Sequence, residues 1–437
     1  MHVSPLHYAV PIAVCAISLA LPAMASDTAA PDARGTARVS PIRVPASAIA
    51  ERSDGGYYTA GSFAVSAGHS KVTVAAYTAD GRPDNRFGNH GVVVADPSPL
   101  QNALSSIAIA PDGKIVVGGN ANFDNQSARG GDLLLERFEA NGTPDRTFGR
   151  NGTVVTDLCK PCNFNDSVTG LVVQPDGKVD VSAYSIRTPG DTRFTVVRYD
   201  ARGSLDRGFG RGGIIDDAKN GAYAIALQPD GKIVAGGNDG VSVELFRYLP
   251  DGQRDATFGK NGQVITPFQN PPTGEFQGSA ISIDVVPDGK LVVGTPFIQP
   301  TVRYQYAAIR YLPNGKIDRS FGSKGLALAP PGIKDTNPSQ TLLLPSGKLL
   351  IVGTYNYQNP VDPNAKETIF AARLDINGML DRSFGTNGIL LTDLNPRLRN
   401  NEDAISGIAL RPGGKVLAVA NSYDLNTGTF RFFTIQY

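Results

Sequence analysis

The chain has 437 residues and no tryptophan, with only three cysteines, three methionines and four histidines. Two of the histidines, His2 and His7, lie in the N-terminal stretch, so His69 and His90 are all that the rest of the chain offers. General acid–base catalysis recruits histidine most often, and this scarcity argues against it. No H-E-x-x-H pair, Ser/His/Asp constellation or phosphate-cradling glycine loop is present, and the glycine-rich Gly210-Arg-Gly-Gly213 falls inside a repeated segment. Charge is balanced at 41 basic against 40 acidic residues, which gives no overall electrostatic reason to expect nucleic acid or an anionic membrane as a partner.

Long apolar runs are missing too. The one candidate, Ala9 to Leu21, is short for a bilayer, and the Ala23-Met24-Ala25 that follows has the small-x-small form a signal peptidase cuts. We therefore expect residues 1–25 to be a signal peptide despite an n-region without Lys or Arg, and residues 26–35 to be a flexible leader. No membrane span would remain in the mature chain, exported to the periplasm or beyond. Cys15 belongs to the signal, which leaves Cys159-Lys-Pro-Cys162 to close as a small-loop disulfide outside the cytosol. No helical pattern follows this pair, as redox chemistry would need, and two further zinc ligands are lacking.

What the chain does have is glycine, proline and repetition, with 49 Gly and 31 Pro. The frame G-x-x-D-x-x-F-G-x-x-G occurs six times, at Asp84/Phe87, Asp145/Phe148, Asp206/Phe209, Asp255/Phe258, Asp318/Phe321 and Asp381/Phe384. Each Asp suits the capping of backbone N–H groups just ahead, each Gly ends the turn at positive φ, and each Phe is the apolar plug of its turn. Six copies of one constellation indicate a structural joint, since a catalytic site is normally needed once.

A second signature keeps the same register. Pro111-Asp-Gly-Lys114 returns as Pro175-Asp-Gly-Lys178, Pro229-Asp-Gly-Lys232, Pro287-Asp-Gly-Lys290, Pro345-Ser-Gly-Lys348 and Pro412-Gly-Gly-Lys415, with a degenerate Ser53-Asp-Gly-Gly56 at the start. Every copy is a hairpin turn between two apolar runs. A third run ends in Arg137-Phe138, Arg198-Tyr199, Arg247-Tyr248, Arg310-Tyr311 or Arg373-Leu374, and a fourth follows the joint. Four short strands in each of seven units, starting near 47, 104, 168, 222, 280, 339 and 405, make an all-β, seven-bladed β-propeller over residues 36–437.

Along the first run of each unit, small residues such as Ala108 and Ser106 alternate with bulky ones such as Ile109 and Ile107. The small ones are expected to face the central axis. The seventh unit ends at Tyr437 before a fourth run, and Arg38 to Val44 is expected to supply that strand and clasp the ring.

These two signatures in register resemble the delta-60 repeat family of bacterial β-propellers. The resemblance spans about Ser47 to Tyr437 and implies the fold and a tendency to export, but no catalytic residues. Departures are the degenerate turn at Asp54 and the short fourth unit.

Function is sought on the face opposite the two signatures, where the connections vary most: Asn120 to Gly131, Asp157 to Asp166, Gln269 to Gly278, Ile298 to Arg303, Tyr355 to Lys366 and Asn395 to Asp403. At the start of the inner strands stand Asn102, Asp166, Asn220, Asn337 and Asp403, with Asp284 among the small inner positions. Their oxygens could converge on a hard cation such as calcium or on a polyhydroxylated ligand; the alternative is that they cap the loops they end. Arg52 and Arg411 are expected at the other mouth. No cofactor is identified. The expectation is a monomeric propeller that binds a protein, peptide or glycan, against the alternative of a metal-dependent hydrolase or lyase at the channel mouth.

Overall fold

An Asp-Gly pair between two β-forming runs reverses the chain tightly, because the Asp carboxylate caps the turn and Gly takes a positive φ at no steric cost. In the computed structural model Asp112 accepts the Lys114 N–H at 3.1 Å, Gly113 has a φ of 84°, and Ala110 and Lys114 close the hairpin. The structure describes residues 36–39 and 46–437, apart from 125–129, 160–163, 189, 240–241, 268–278, 300–301, 329–336, 356–366, 395–400 and 425–428. The described secondary structure is strands and turns, and no described helix is long and apolar enough to cross a membrane.

Seven four-stranded antiparallel sheets result. Blade three is representative: Asp166–Val173 is innermost, then Val179–Thr188, Asp191–Tyr199 and the outer Ile214–Lys219. Each inner strand lies against those of the two neighbouring blades, and the inner strand of blade seven, Asn401–Leu410, meets that of blade one, Ala48–Glu51, so the ring is closed. Closure is double, because Thr36–Val39 pairs antiparallel with Thr429–Gln436 as the outer strand of blade seven. This strand begins two residues earlier than the Arg38 to Val44 run expected from sequence, and residues 40–45 lie outside the described part.

Seven hydrophobic clusters hold the disc together, each drawn from two successive blades. That arrangement corrects the reading of the alternating small residues. A blade in a propeller has neighbours on both faces, so both sets of inner-strand side chains lie between blades. A Cβ on Gly170 would stand 3.3 Å from the Ile225 side chain of the next blade, and one on Gly407 would stand 3.1 Å from Ile49. Small residues mark where neighbouring inner strands come closest, rather than a lining of the axis. The inner strands also carry a bulge not legible as such in the sequence, between Leu104 and Ser106, Val168 and Gly170, Ala222 and Ala224, Pro338 and Gln340, and Ile405 and Gly407. It lies seven residues before the hairpin Asp or its equivalent, and bulges of this kind re-aim side chains at a sheet edge.

The same geometry corrects the reading of the joint phenylalanines as plugs of their own turns. Phe87, Phe148, Phe209, Phe258, Phe321 and Phe384 are all buried, with no more than 2% of any one exposed. Each belongs to a cluster shared with the following blade: Phe87 packs with Leu104 and Ile107 of blade two, Phe148 with Val168 and Leu171 of blade three, and Phe209 with Ala222 and Ile225 of blade four. Phe258 joins Ala280 and Ile283 of blade five, Phe321 joins Leu349 and Ile351 of blade six, and Phe384 joins Ile405 and Ile408 of blade seven. A short turn has too little apolar surface to cover an aromatic ring, so the ring is covered by the next blade and seals the seam. None of the six can meet a ligand.

Candidate functional site

The repeated joints carry a dense polar network. In blade four, Asp255 Oδ1 accepts the Thr257 N–H at 3.0 Å and its hydroxyl at 2.6 Å, while Oδ2 accepts Arg247 Nε at 2.9 Å. The Arg247 guanidinium lies 4.5 Å from the centre of the Phe258 ring, and its Nη1 donates to Pro313 O of blade five at 2.6 Å. Arg137 with Asp145, Arg310 with Asp318 and Arg373 with Asp381 repeat the Asp–Arg pair, and Lys114 adds a bond to Asp145 at 2.9 Å. The stacking repeats too, with Arg137 over Phe148 at 4.3 Å, Arg198 over Phe209 at 3.9 Å, Arg310 over Phe321 at 4.6 Å and Arg373 over Phe384 at 4.8 Å. Phe87 is the exception: it packs against the Tyr58 ring at 5.4 Å, and Arg52 lies over that tyrosine instead.

The joint Gly also reaches across the seam. The N–H groups of Gly88, Gly149, Gly210, Gly259 and Gly322 donate to Asn141, Arg202, Asp251, Asn314 and Asn377 of the following blade. Close approach is enforced there: Gly252 has a φ of 86°, and a Cβ on it would stand 2.6 Å from the Gly210 nitrogen. Burial opposes ionisation of Asp145 and Asp381, but the bonds from their hydroxyl, lysine and arginine partners outweigh it and hold both well below the usual carboxylate range. Arg86, opposed by burial and aided by Arg52, does the same for Asp84. The joint is thus an inter-blade lock, and its acids are committed.

The acids and amides expected at the loop-side mouth are drawn into seams as well. Asn102 is buried; its Nδ2 donates to Ser70 O of blade one at 2.7 Å, and Ser70 Oγ donates to Asn102 O at 2.6 Å. Asp166 is buried, accepting the Leu158 N–H from the connection after blade two at 2.9 Å and a short bond from Ser185. Asp403 is buried and accepts the Leu394 N–H at 3.2 Å, while Thr354 of blade six donates to its carbonyl at 2.9 Å. Asn220 takes a positive φ of 72° and its N–H donates to Thr192 O of blade three at 2.7 Å. Asn337 opens the inner strand of blade six. The structure therefore spends Asn102, Asp166 and Asp403 on backbone groups of the preceding blade, as loop caps do.

Asp284 stands on the inner strand of blade five and binds blade six, accepting Thr341 Oγ1 at 2.7 Å and the Leu343 N–H at 3.1 Å. Ser282 lies 2.7 Å from the same Thr341 hydroxyl. Desolvation raises Asp284 to about 6 despite these bonds, and it raises Asp166 to about 6 likewise. Among the described residues no group of three or more His, Cys, Asp and Glu is placed to hold a metal ion. Cys159 is disulfide-bonded, and Cys162 lies outside the described residues. The variable connections proposed as a recognition surface are in large part also outside them.

At the hairpin-side mouth, Glu51 occupies the last inner-strand position, where other blades place Ile109, Val173, Leu227, Val285, Leu343 and Leu410. Arg411 Nε approaches Glu51 at 3.3 Å, and its Nη2 donates to Gly55 O at 2.6 Å and Ala79 O at 2.9 Å. Burial pushes Glu51 up to about 7 against the pull of Arg411. Sequence reading placed Arg52 and Arg411 at this end but missed their partners.

It also missed Glu136, buried in the third strand of blade two where its counterparts are Val197, Phe246, Ile309 and Ala372, and raised by desolvation to about 7 against a long hydrogen bond from Thr153. An alignment of the third runs would have exposed this acid as the exception. The hydroxyls on the bulge were missed as well: Ser105 donates to Val168 O at 2.7 Å and Thr169 to Ala222 O at 2.8 Å, each one blade on.

A family model described as a β-propeller domain of unknown function (DUF5122) matches residues 110–148, 174–209, 228–258, 287–321 and 344–384. Each match runs from an Asp-Gly hairpin or its equivalent to the Phe of the next joint. The chain is a β-propeller repeat protein. No curated protein matches it. Among solved structures it is similar to a protein of unknown function from Dyadobacter fermentans, at 15% identity over 76% of this chain and 93% of that one, with a TM-score of 0.44. It is also similar to an ulvan lyase of polysaccharide lyase family 25, at 10% identity over 87% and 90% of the two chains and a TM-score of 0.46. The third is prolyl oligopeptidase B from Galerina marginata, at 14% identity over 92% of this chain and 51% of that one and a TM-score of 0.43. Likenesses this distant say nothing about activity, since unrelated functions share this architecture.

Proposed function

We propose that this is an exported binding or scaffold propeller of the delta-60 kind, which recognises a protein, peptide or glycan through the variable connections on the face opposite the joints. One observation carries the reading: the repeated polar residues, and the acids at the expected mouth, are committed to locks between blades. What differs from blade to blade is the connections of the other face. Blade one joins its middle strands with only Ala67 and Gly68, whereas blade six uses residues 356–367 between Leu349–Tyr355 and Thr368–Leu374. Variable loops on a rigid frame are the usual seat of recognition. Export rests on Ala9 to Leu21 and Ala23-Met24-Ala25, and with it goes a Cys159–Cys162 disulfide.

The test is a thermal-shift screen of the protein against glycans, peptides and metabolites, with and without calcium. A ligand that stabilises the native protein, and whose effect disappears when residues 356–366 are replaced by a Gly-Ser turn, supports the reading. Turnover of a screened polysaccharide or lactone, abolished by Asp284→Ala in a protein that still folds, would replace it with the hydrolase or lyase alternative.

A further inference from the structure

The balanced overall charge conceals an uneven one at the joints, since the hairpin acids Asp112, Asp176, Asp230 and Asp288 of the same face are each paired with a lysine. In five joints the residues between the Asp and the end of the turn read Arg146-Thr-Phe-Gly-Arg150, Arg207-Gly-Phe-Gly-Arg211, Ala256-Thr-Phe-Gly-Lys260, Arg319-Ser-Phe-Gly-Ser323 and Arg382-Ser-Phe-Gly-Thr386, without one acid among them. The position after the Asp is exposed and basic in Arg146, Arg207, Arg319 and Arg382; the position after the Gly is exposed and basic in Arg150, Arg211 and Lys260. Among the described residues none of these seven side chains has an ion-pair or hydrogen-bond partner, unlike the buried arginines beneath them.

Because the joints share one register in successive blades of a closed ring, the free cations stand at one level of the disc, along an arc from blade two to blade six. The same face carries apolar side chains in the open. Ile376 is 55% exposed and Met379 61% exposed on the blade-six turn that the blade-five joint binds through Gly322 and Asn377, and Ile317 beside that joint is 38% exposed.

We propose that the joint face is a docking surface for an anionic lipid bilayer. Charge complementarity names the partner's sign, and the level arc of a rigid disc fits a planar target. The protruding Ile376 and Met379 give a hydrophobic contact that a dissolved polyanion would not use. The proposal is independent of the loop-face reading, since it concerns the other side of the disc and would leave the variable connections turned toward solvent.

The experiment is co-sedimentation of the full chain with vesicles of phosphatidylcholine alone or mixed equally with phosphatidylglycerol, at about 50 mM and about 500 mM salt, where screening lengths differ severalfold. Binding is expected only to the mixed vesicles and to be lost at the higher salt. Each basic side chain near an anionic surface contributes roughly fivefold, so the triple variant Arg146→Gln/Arg207→Gln/Arg319→Gln should bind about 100-fold more weakly. Its unfolding midpoint should be nearly unchanged, because these exposed side chains have no ion-pair or hydrogen-bond partner among the described residues. Ile376→Ser/Met379→Ser should weaken vesicle binding and leave any binding to soluble dextran sulfate alone. The proposal is overturned if both vesicle types bind alike, if the triple variant binds as the parent does, or if dextran sulfate is retained while the apolar variant loses no vesicle affinity.

Discussion

Different seams of the ring solve one problem with different residues. Between blades four and five, Arg247 at the end of the third strand pairs with Asp255, covers Phe258 and donates to Pro313 O of the next blade. Blade one has Ala76 where that arginine belongs, so Phe87 has no guanidinium over it, and Arg52, at the end of the inner strand, reaches Asp84 at 2.7 Å. Between blades seven and one no joint exists, and Arg411 donates to Gly55 O and Ala79 O instead. The difference teaches that an arginine can be delivered to a seam from more than one strand: Arg247 and Arg411 reach carbonyls of the neighbouring blade, whereas Arg52 holds Asp84 and the Tyr58 hydroxyl donates to Ala140 O of blade two. Blade three shows the same latitude, because Arg198 pairs with the buried Asp180 and leaves Asp206 with Lys178 at 3.8 Å.

The largest effect should come from Phe258→Ala, which empties a fully buried site and should cost about 4 kcal/mol in a urea titration. Removing one partner of a buried pair comes next: Asp255→Ala leaves Arg247 uncompensated and should cost about 3 kcal/mol, whereas Asp206→Ala in the departing blade should cost under about 1 kcal/mol. Equal losses at the two sites would dissolve the distinction between them.

Arg411→Ala, at the seam closed without a joint, should cost about 2 kcal/mol and speed hydrogen exchange first in Thr429–Gln436 and its neighbours. Arg52→Ala should cost about 1 kcal/mol, and Ala76→Arg in the same chain should restore part of it if position is interchangeable.

The smallest and most specific change is in pH dependence. Glu51 has its folded pKa raised to about 7, so whatever its neutral form contributes is complete below the ordinary Glu value and lost as pH rises through about 7. The joint acids Asp84, Asp145 and Asp381 are lowered, and their contribution is present above the ordinary Asp value and lost as pH falls below it. Stability should therefore peak in mildly acidic solution, and Glu51→Gln should raise the melting point at pH 8 with little change at pH 5. A gain of the same size at both would assign the effect to packing.

Blade number, strand order and the structural nature of the joint were legible because each depends on a few neighbouring residues. An Asp two or three positions before the groups it caps, or a Gly that must take a positive φ, leaves its mark locally, and six copies make the mark unmistakable. Asn102 and Asp166 bind groups as near as Leu100 O and the Leu158 N–H, two and eight residues back, which is the loop capping their positions allow. The partners of Asp284 were not legible, because they lie in another blade: Asp284 and Thr341 are 57 residues apart in the chain. The same distance hid the role of Phe148 and its five counterparts, whose apolar character was plain while the blade that covers them was not. Glu136 was overlooked for a related reason, as one acid in an apolar run reads as solvent-facing until a neighbouring blade covers it.

Alone, the sequence determined a ring of seven like sheets, since turn chemistry and strand alternation act over a few residues and need no distant partner to be read. Only the tertiary structure decided which acids were free. Whether a carboxylate can meet a ligand depends on which backbone groups of the next blade reach it first, and those groups are brought there by closure of the ring.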